Sequence, residues 1–182
     1  MSQLQDMDVQ VFFKGDTINV IVDNTLARNK WRGGLFVNIS GHQFNTTSPY
    51  PVVTKSNGVN PIGFLVRSSE EVALSEYNYT SLQPSVTRVV LVYYGNCQVL
   101  LKQFETVAFN TGMGLRDGGA GNVAYTHNQL LSVSENGLVT SLDDATDAFS
   151  VLYPASTPKT IGQAWAIPDT TIGNRLGILT NL

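Results

Sequence analysis

Apolar and polar residues alternate along most of this chain in short runs. Residues 9–13 and 17–22 alternate in this way, are rich in Val, Ile and Phe, and flank Lys14-Gly15-Asp16. Side chains of a strand point alternately to its two faces, so this period indicates β-strands with one buried face. The glycine between the two runs predicts a hairpin turn.

The same pattern recurs further along the chain. Residues 86–94 and 97–101 flank Gly95-Asn96 and predict a second hairpin. Helical spacing is scarce: residues 68–74 could form two turns capped by Ser68, and residues 143–149 either one short helix or an acidic loop. The sequence therefore predicts a mainly β protein. Other predicted strands cover residues 35–39, 62–66, 129–134, 138–141, 161–167 and 175–180.

Two polar segments indicate how the strands are organised. Residues 40–61 are dense in Gly, Asn, Thr, Ser and Pro and predict a long loop, and residues 110–122 contain five glycines and predict a flexible loop or a linker. A provisional boundary near residue 115 separates an N-terminal β-rich lobe (residues 1–115) from a C-terminal β module (residues 116–182). The sequence leaves open whether these are two domains or one.

Charge is scarce. Asp, Glu, Lys and Arg make up 14% of the 182 residues, where about 25% is usual. Eleven Lys and Arg oppose 14 Asp and Glu, and the densest basic group, residues 28–32, holds three cations. Such a group is too small to follow a phosphate backbone, so nucleic acid is not an expected partner. No apolar run approaches the ~20 residues of a membrane span, so no membrane contact is expected either.

Few residues are candidates for catalysis. His42 and His127 lie in polar segments without a Gly-x-Ser-x-Gly elbow or other catalytic motif, and we expect both at the surface. Cys97 is the only cysteine, so no disulfide can form within the chain, and its strand-like setting predicts a small buried apolar side chain. We expect no enzymatic activity, and the opening residues, which lack a secretory signal, favour synthesis in a reducing cytoplasm.

Ligand-binding motifs are equally scarce. Residues 112–121 contain Gly-x-Gly but not the Gly-Lys-Ser/Thr ending of a phosphate loop, and Asp143, Asp144 and Asp147 lack the spacing of a calcium loop. We therefore expect no cofactor and no metal. Tyrosines among Asn, Ser and Thr could stack on sugar rings or lie at protein interfaces and in the core. These tyrosines are Tyr50, Tyr77, Tyr79, Tyr93, Tyr94 and Tyr125.

The last third of the chain carries an ordered set of motifs. Residues 129–139 form a strand, an acidic Asn-Gly turn and a strand, which predicts a third hairpin. Residues 160–166 (Thr-Ile-Gly-Gln-Ala-Trp-Ala) and the apolar residues 173–179 follow. This order resembles that of the small β-rich capsid decoration (cement) proteins of tailed bacteriophages, over residues 123–182. We expect residues 161–167 and 175–179 to be core strands.

The resemblance implies a β-barrel or β-tulip module on the outside of an icosahedral shell, often as a trimer that clamps neighbouring capsomers. Together with the strand pattern, it leads us to expect barrel, tulip or sandwich modules with long loops and an extended N-terminal arm. The expected partners are the major capsid protein and further copies of this chain, and the expected location is the outer capsid surface of a virion assembled in the host cytoplasm.

Chain ends and long glycine-rich loops commonly supply the contacts of such proteins. The predicted contact residues are therefore Leu4, Met7, Gly112, Met113, Leu115 and Arg116. The alternative function is a receptor- or glycan-binding module of a phage tail or fibre, which the tyrosines and the Asn- and Thr-rich surface would serve.

Overall fold

The structure is a computed structural model that describes residues 7–23, 26, 31–42, 50–69 and 89–182. The prediction of a mainly β protein is confirmed. The strands are β1 (Val9–Phe13), β2 (Asp16–Val22), β3 (Phe36–His42), β4 (Pro51–Lys55), β5 (Gly63–Leu65), β6 (Val89–Tyr94), β7 (Gln98–Leu101), β8 (Leu130–Val133), β9 (Val139–Ser141), β10 (Gly162–Ala166) and β11 (Leu176–Thr180). Helix α1 covers Leu142–Leu152, and a 3-10 turn covers Thr170–Ile172.

Five strands close into a barrel in the order β2-β4-β3-β5-β6. The pair β2–β4 is parallel, and the other pairs are antiparallel. Because side chains alternate along each strand, every strand can send its apolar set into the barrel, and branched Val side chains fill a pleated surface well. The buried apolar cluster of the barrel includes Val20, Val37, Val53, Leu65 and Val92.

The other six strands form an antiparallel sheet in the order β1-β7-β11-β10-β8-β9. The prediction that β10 and β11 are core strands is confirmed, since Ala164, Leu176 and Ile178 are all buried at the centre of this sheet. The sheet combines strands from both sides of residue 115, because β1 and β7 pair beside β11.

An aromatic row joins the two layers. Phe36, Phe64 and Tyr93 are cross-strand partners on neighbouring barrel strands, with ring centroids 5.4 Å and 6.1 Å apart. They belong to the same apolar cluster as Val99 and Ile178 of the sheet. The inner face of the sheet therefore packs against the outer wall of the barrel.

The first two predicted hairpins are wrong. β1 pairs with β7 in the sheet, and β2 pairs with β6 in the barrel, so neither β1–β2 nor β6–β7 is a hairpin. The two segments instead form one long antiparallel ribbon that bends from the sheet into the barrel. Gly15 permits the bend, since a Cβ there would lie 2.3 Å from the Tyr94 carbonyl oxygen. Turn residues signal a change of direction, but they do not say which strand pairs next.

Cys97 lies at this bend and is buried, as predicted. The Gly15 amide donates to its Sγ at 3.3 Å, and its own amide donates to Thr180 Oγ1 at 3.0 Å. The Thr180 hydroxyl in turn donates to the Gly95 carbonyl oxygen at 2.6 Å. The thiol and hydroxyl therefore satisfy backbone groups that the interrupted strands leave unpaired.

The third hairpin is confirmed, and of the two options for residues 143–149 the helix is correct. β8 and β9 pair across a turn in which the Gly137 amide donates to the Ser134 carbonyl, and Gly137 has φ +77°. Helix α1 begins after Ser141, whose hydroxyl accepts from the Asp144 amide. A capping serine followed by acidic residues in the first turn is a common helix start, because it complements the free amides there.

The predicted loop over residues 40–61 is partly wrong. β3 continues to His42 and β4 occupies Pro51–Lys55, with Pro51 tolerated because it is the first residue of its strand. Residues 1–6 of the predicted arm, residues 43–49 and most of the predicted helix over residues 68–74 lie outside the described residues. Within the described part of the chain, no helix is long and apolar enough to cross a bilayer.

Candidate interaction surfaces

The predicted contact residues fall in two places. Gly112, Met113 and Leu115 belong to one turn, and Arg116 directly follows it and contacts the β8–β9 turn and helix α1. Met7 is exposed and precedes β1, the edge strand at the opposite end of the sheet. Leu4 lies outside the described residues. The structure therefore groups the glycine-rich residues and sets Met7 apart from them.

The glycine-rich turn is organised by one asparagine. The Oδ1 atom of Asn110 accepts from the Gly112 amide at 3.1 Å and the Met113 amide at 3.2 Å, and the Asn110 carbonyl oxygen accepts from the Gly114 amide at 2.8 Å. The Asn110 amide donates to the Leu115 carbonyl at 2.9 Å and closes the turn. Asparagine suits this place because its side chain can satisfy nearby backbone amides.

Arg116 follows the turn and points into the protein. Its Nε and Nη2 atoms donate to the two carboxylate oxygens of Glu135 at 2.9 Å and 3.2 Å, and Nη2 also donates to Asp144 Oδ2 at 2.7 Å. Nη1 donates to the Val107 carbonyl at 2.7 Å. The side chain is only 7% exposed. A guanidinium with two-point carboxylate contact and further bonds is held in one orientation.

Three carboxylates surround this guanidinium, and Glu105 is the third, with its Oε1 3.6 Å from Arg116 Nε. We call Glu105, Arg116, Glu135 and Asp144 the Arg116 cluster. Burial by itself lowers the pKa of Arg116, but the hydrogen bonds to Asp144 and Glu135 and the charge of Glu105 outweigh it and raise that pKa. The guanidinium therefore stays charged, and the cluster carries more negative than positive charge.

Uncharged hydrogen-bond donors stabilise the carboxylates of the cluster. Asp144 accepts from the Phe109 amide at 2.7 Å and the Thr140 hydroxyl at 2.6 Å. Glu105 Oε1 accepts from the Ser134 hydroxyl at 2.6 Å and the Asn136 side-chain amide at 3.0 Å. Buried carboxylates are tolerated when their lone pairs are satisfied in this way. The cluster therefore ties the glycine-rich turn, the β8–β9 turn and helix α1 together.

An exposed apolar patch combines the glycine-rich turn with the end of helix α1. Met113 is 64% exposed and Leu115 is 46% exposed, and Val151 and Leu152 are exposed at the end of helix α1. The turn lies against the helix end, since a Cβ built on Gly114 would be 3.7 Å from Val151 Cγ1. We call these four residues the loop–helix patch. Clustered exposed apolar side chains of this kind mark interaction surfaces.

A second surface crosses the outer face of the six-stranded sheet. Residues paired across neighbouring strands share one face, and the pairs Phe13–Gln98, Gln98–Leu179, Leu179–Gln163 and Gln163–Leu130 connect five strands in one line. We call these five residues the outer sheet row. Phe13, Leu179, Gln163 and Leu130 are exposed, and Gln98 is half-buried. Beside the row, the Phe12 ring meets the Trp165 ring edge-on at 5.8 Å.

A third feature is an open cleft of about 390 Å³. The rings of Phe104 and Tyr125, 5.5 Å apart and perpendicular, lie on its wall beside the side chains of Asn122, Asn174 and Thr106. Burial, the largest influence, raises the pKa of Tyr125 above its ordinary value. Its hydroxyl donates to the Glu105 carbonyl oxygen at 2.6 Å. The Tyr125 hydroxyl is therefore hydrogen-bonded within the protein. A ligand in the cleft could contact the Tyr125 ring and the side chains of Asn122 and Asn174.

The remaining candidates for chemistry are placed as follows. His127 is exposed, and its Nδ1 lies 3.2 Å from the Trp165 carbonyl oxygen. The backbone of His42 belongs to β3. Among the described residues, no three His, Cys, Asp or Glu side chains are grouped so that they could hold a metal ion.

Sequence reasoning missed the carboxylates around Arg116 and the outer sheet row. Glu105, Glu135 and Asp144 come from three different segments of the chain, and no local spacing connects them with Arg116. A signal for the row was present in Phe12-Phe13, since two adjacent aromatic residues in a strand are unusual when side chains alternate between faces. A β-bulge between Val11 and Phe13 places them both at the exposed end of β1.

No protein-family model, no curated protein and no solved structure matches this chain. What the protein does is therefore inferred from its own residues.

Proposed function

We propose that this protein is a structural protein of a virus particle that binds the outer surface of a capsid shell and bridges neighbouring major-capsid subunits. The observation that carries the proposal is the loop–helix patch, in which Met113 and Leu115, exposed on a turn that Arg116 anchors, adjoin the exposed Val151 and Leu152 at the end of helix α1. The order of strands in the last third, which resembles that of phage decoration proteins, supports the shell as the partner.

The patch is suited to binding because its support is already in place. Met113 and Leu115 lie in a turn that Asn110 closes and Arg116 anchors, so little conformational entropy is lost when a partner covers it. Apolar side chains contribute about 25 cal/mol for each Å² removed from water. Scarce charge lowers the desolvation cost of the surrounding contact. In this role the protein would reinforce a shell assembled in the host cytoplasm.

A binding experiment with shells tests this proposal. Purified protein is mixed with undecorated shells of the virus that carries the gene, and bound copies are counted by co-sedimentation and electron microscopy. Leu115→Glu should weaken binding by about tenfold or more, since it puts a charge into an apolar contact. Leu91→Glu is the matched control, because Leu91 is equally exposed, at 45%, but lies on barrel strand β6 and is not part of the patch. Wild-type protein that does not bind the shells at a fixed stoichiometry would refute the proposal.

The cleft favours a second candidate, a glycan-binding module of a tail or fibre. Aromatic rings beside Asn and Thr side chains can take the apolar face and the hydroxyls of a sugar, and the volume accommodates a monosaccharide. Binding on a glycan array that Asn122→Ala abolishes, and that the exposed control Asn60→Ala retains, would support this function. An array without any bound glycan would count against it.

A further inference from the structure

The outer sheet row exposes apolar side chains and carries no charge, which is unusual for a sheet face in contact with water. A sheet with one face in water normally carries charged and polar side chains there. In this row, Phe13, Leu179 and Leu130 occupy exposed positions, and Gln98 and Gln163 lie between them, so the row contains no charge. Single exposed apolar residues are ordinary, but three that alternate with amides in one line across five strands are not.

The row is also symmetric about its middle. Leu179 lies on β11, the central strand of the five, with Gln98 and Gln163 on either side and the apolar Phe13 and Leu130 at the two ends. Read across the strands from either end, the side chains of the row are therefore apolar, amide, apolar, amide and apolar. With strands ~4.8 Å apart, the row extends for roughly 19 Å.

We propose that two copies of this chain associate face to face through the outer sheet row, about a twofold axis that runs along β11 over Leu179. This rotation leaves Leu179 opposite the partner copy's own Leu179. It places Gln98 opposite the second copy's Gln163, and Phe13 opposite the second copy's Leu130. Each apolar side chain then faces an apolar side chain and each amide faces an amide, as the self-complementary patch of a twofold dimer requires.

The chemistry of the row favours a second copy over a charged partner. Two uncharged rows meet without like-charge repulsion, and each amide of Gln98 and Gln163 can both donate and accept across the contact. Stacked sheets pack about 10 Å apart, a distance that Leu and Phe side chains fill from both sides. Phe12 and Trp165 extend the apolar area beside the row. This contact is separate from the loop–helix patch and does not depend on shell binding.

Complementary charges at position 179 test the twofold axis. Sedimentation equilibrium of the wild-type chain should give a concentration-dependent monomer–dimer equilibrium. Leu179→Lys and Leu179→Glu, each alone, should raise the dimer dissociation constant by at least about tenfold, since each puts like charges opposite one another. An equimolar mixture of the two variants should dimerise again, because Lys then faces Glu.

Controls separate this contact from misfolding and from other association. Leu91→Lys and Leu91→Glu lie on the barrel and should leave the dimer unchanged, alone or mixed. Circular dichroism should show each variant folded, since Leu179 is exposed. The twofold contact is refuted if the wild-type chain stays monomeric at the highest soluble concentration, if it forms trimers without dimers, or if mixing the charged variants restores nothing.

Discussion

The Arg116 cluster and the outer sheet row use charge in opposite ways. The cluster concentrates one guanidinium and three carboxylates in the interior, where neutral donors satisfy them. The row exposes apolar and amide side chains to solvent without any charge. In a chain with so few charged residues, four of them are therefore engaged with one another in a single cluster. Charge stabilises one turn from inside, whereas the outer sheet row presents only uncharged side chains.

The largest effect that separates the two regions is expected at Arg116. Arg116→Ala should lower the free energy of unfolding by about 3–5 kcal/mol, because it leaves Glu135 and Asp144 buried without their cation. Urea denaturation at neutral pH measures this change. The control is Lys14→Ala, which removes an exposed cation between β1 and β2 and should change the free energy of unfolding by less than about 0.5 kcal/mol. Equal costs for the two variants would mean that the cluster is not a stabilising feature.

A loss of stability of intermediate size is expected when the two faces of β11 are compared. Ile178→Ala removes a fully buried side chain and should lower the free energy of unfolding by about 2–5 kcal/mol. Leu179→Ala, one residue further on the outer face, should change it by less than about 0.5 kcal/mol in dilute protein. Urea denaturation at two protein concentrations measures both. A large loss for Leu179→Ala in the dilute monomer would show that the outer face is part of the folded core.

The smallest effect is expected at Asp117, at the exposed edge of the glycine-rich turn. Hydrogen bonds from the Gly119 amide and then the Asn110 side chain lower the pKa of Asp117 below its ordinary 3.8. A carboxylate with a lowered folded pKa stabilises the fold above the unfolded pKa, and this contribution is lost as pH falls through the folded value. The stability difference between wild type and Asp117→Asn should therefore shrink below about pH 3.8. A carboxyl NMR titration with its midpoint at or above 3.8 would contradict this.

Strand positions were predictable from the sequence to a much greater extent than strand partners. The runs around β1, β2, β6 and β7 were recognised, but their pairing was assigned to neighbours in the chain. The β8–β9 hairpin was correct because Ser134 and Gly137 form a local turn whose geometry joins the strands directly. At Gly15 the same kind of signal marks a bend between layers, since the partner strands lie some 80 residues away along the chain.

The candidate surfaces show the same division. The glycine-rich turn was found from composition, with Met113 and Leu115 as expected contacts, and both are exposed. The inward direction of Arg116 was not predictable, because its partners Glu135 and Asp144 come from a turn and a helix that only folding brings beside it. Likewise, the outer sheet row consists of residues from five strands, which share a line only through their register.

By itself, the sequence determined the mainly β class, most of the strand-forming segments, the buried Cys97 and the scarcity of charge. These follow from local alternation, residue type and counting, which do not depend on what lies nearby in space. Only the tertiary structure decided that the strands form a closed barrel under a six-stranded sheet. It also decided that Arg116 is enclosed by three carboxylates, and which uncharged side chains form a line on the outer face of the sheet. Those properties depend on long-range pairing and register, since a shift of one residue in any strand would reverse which side chains face water.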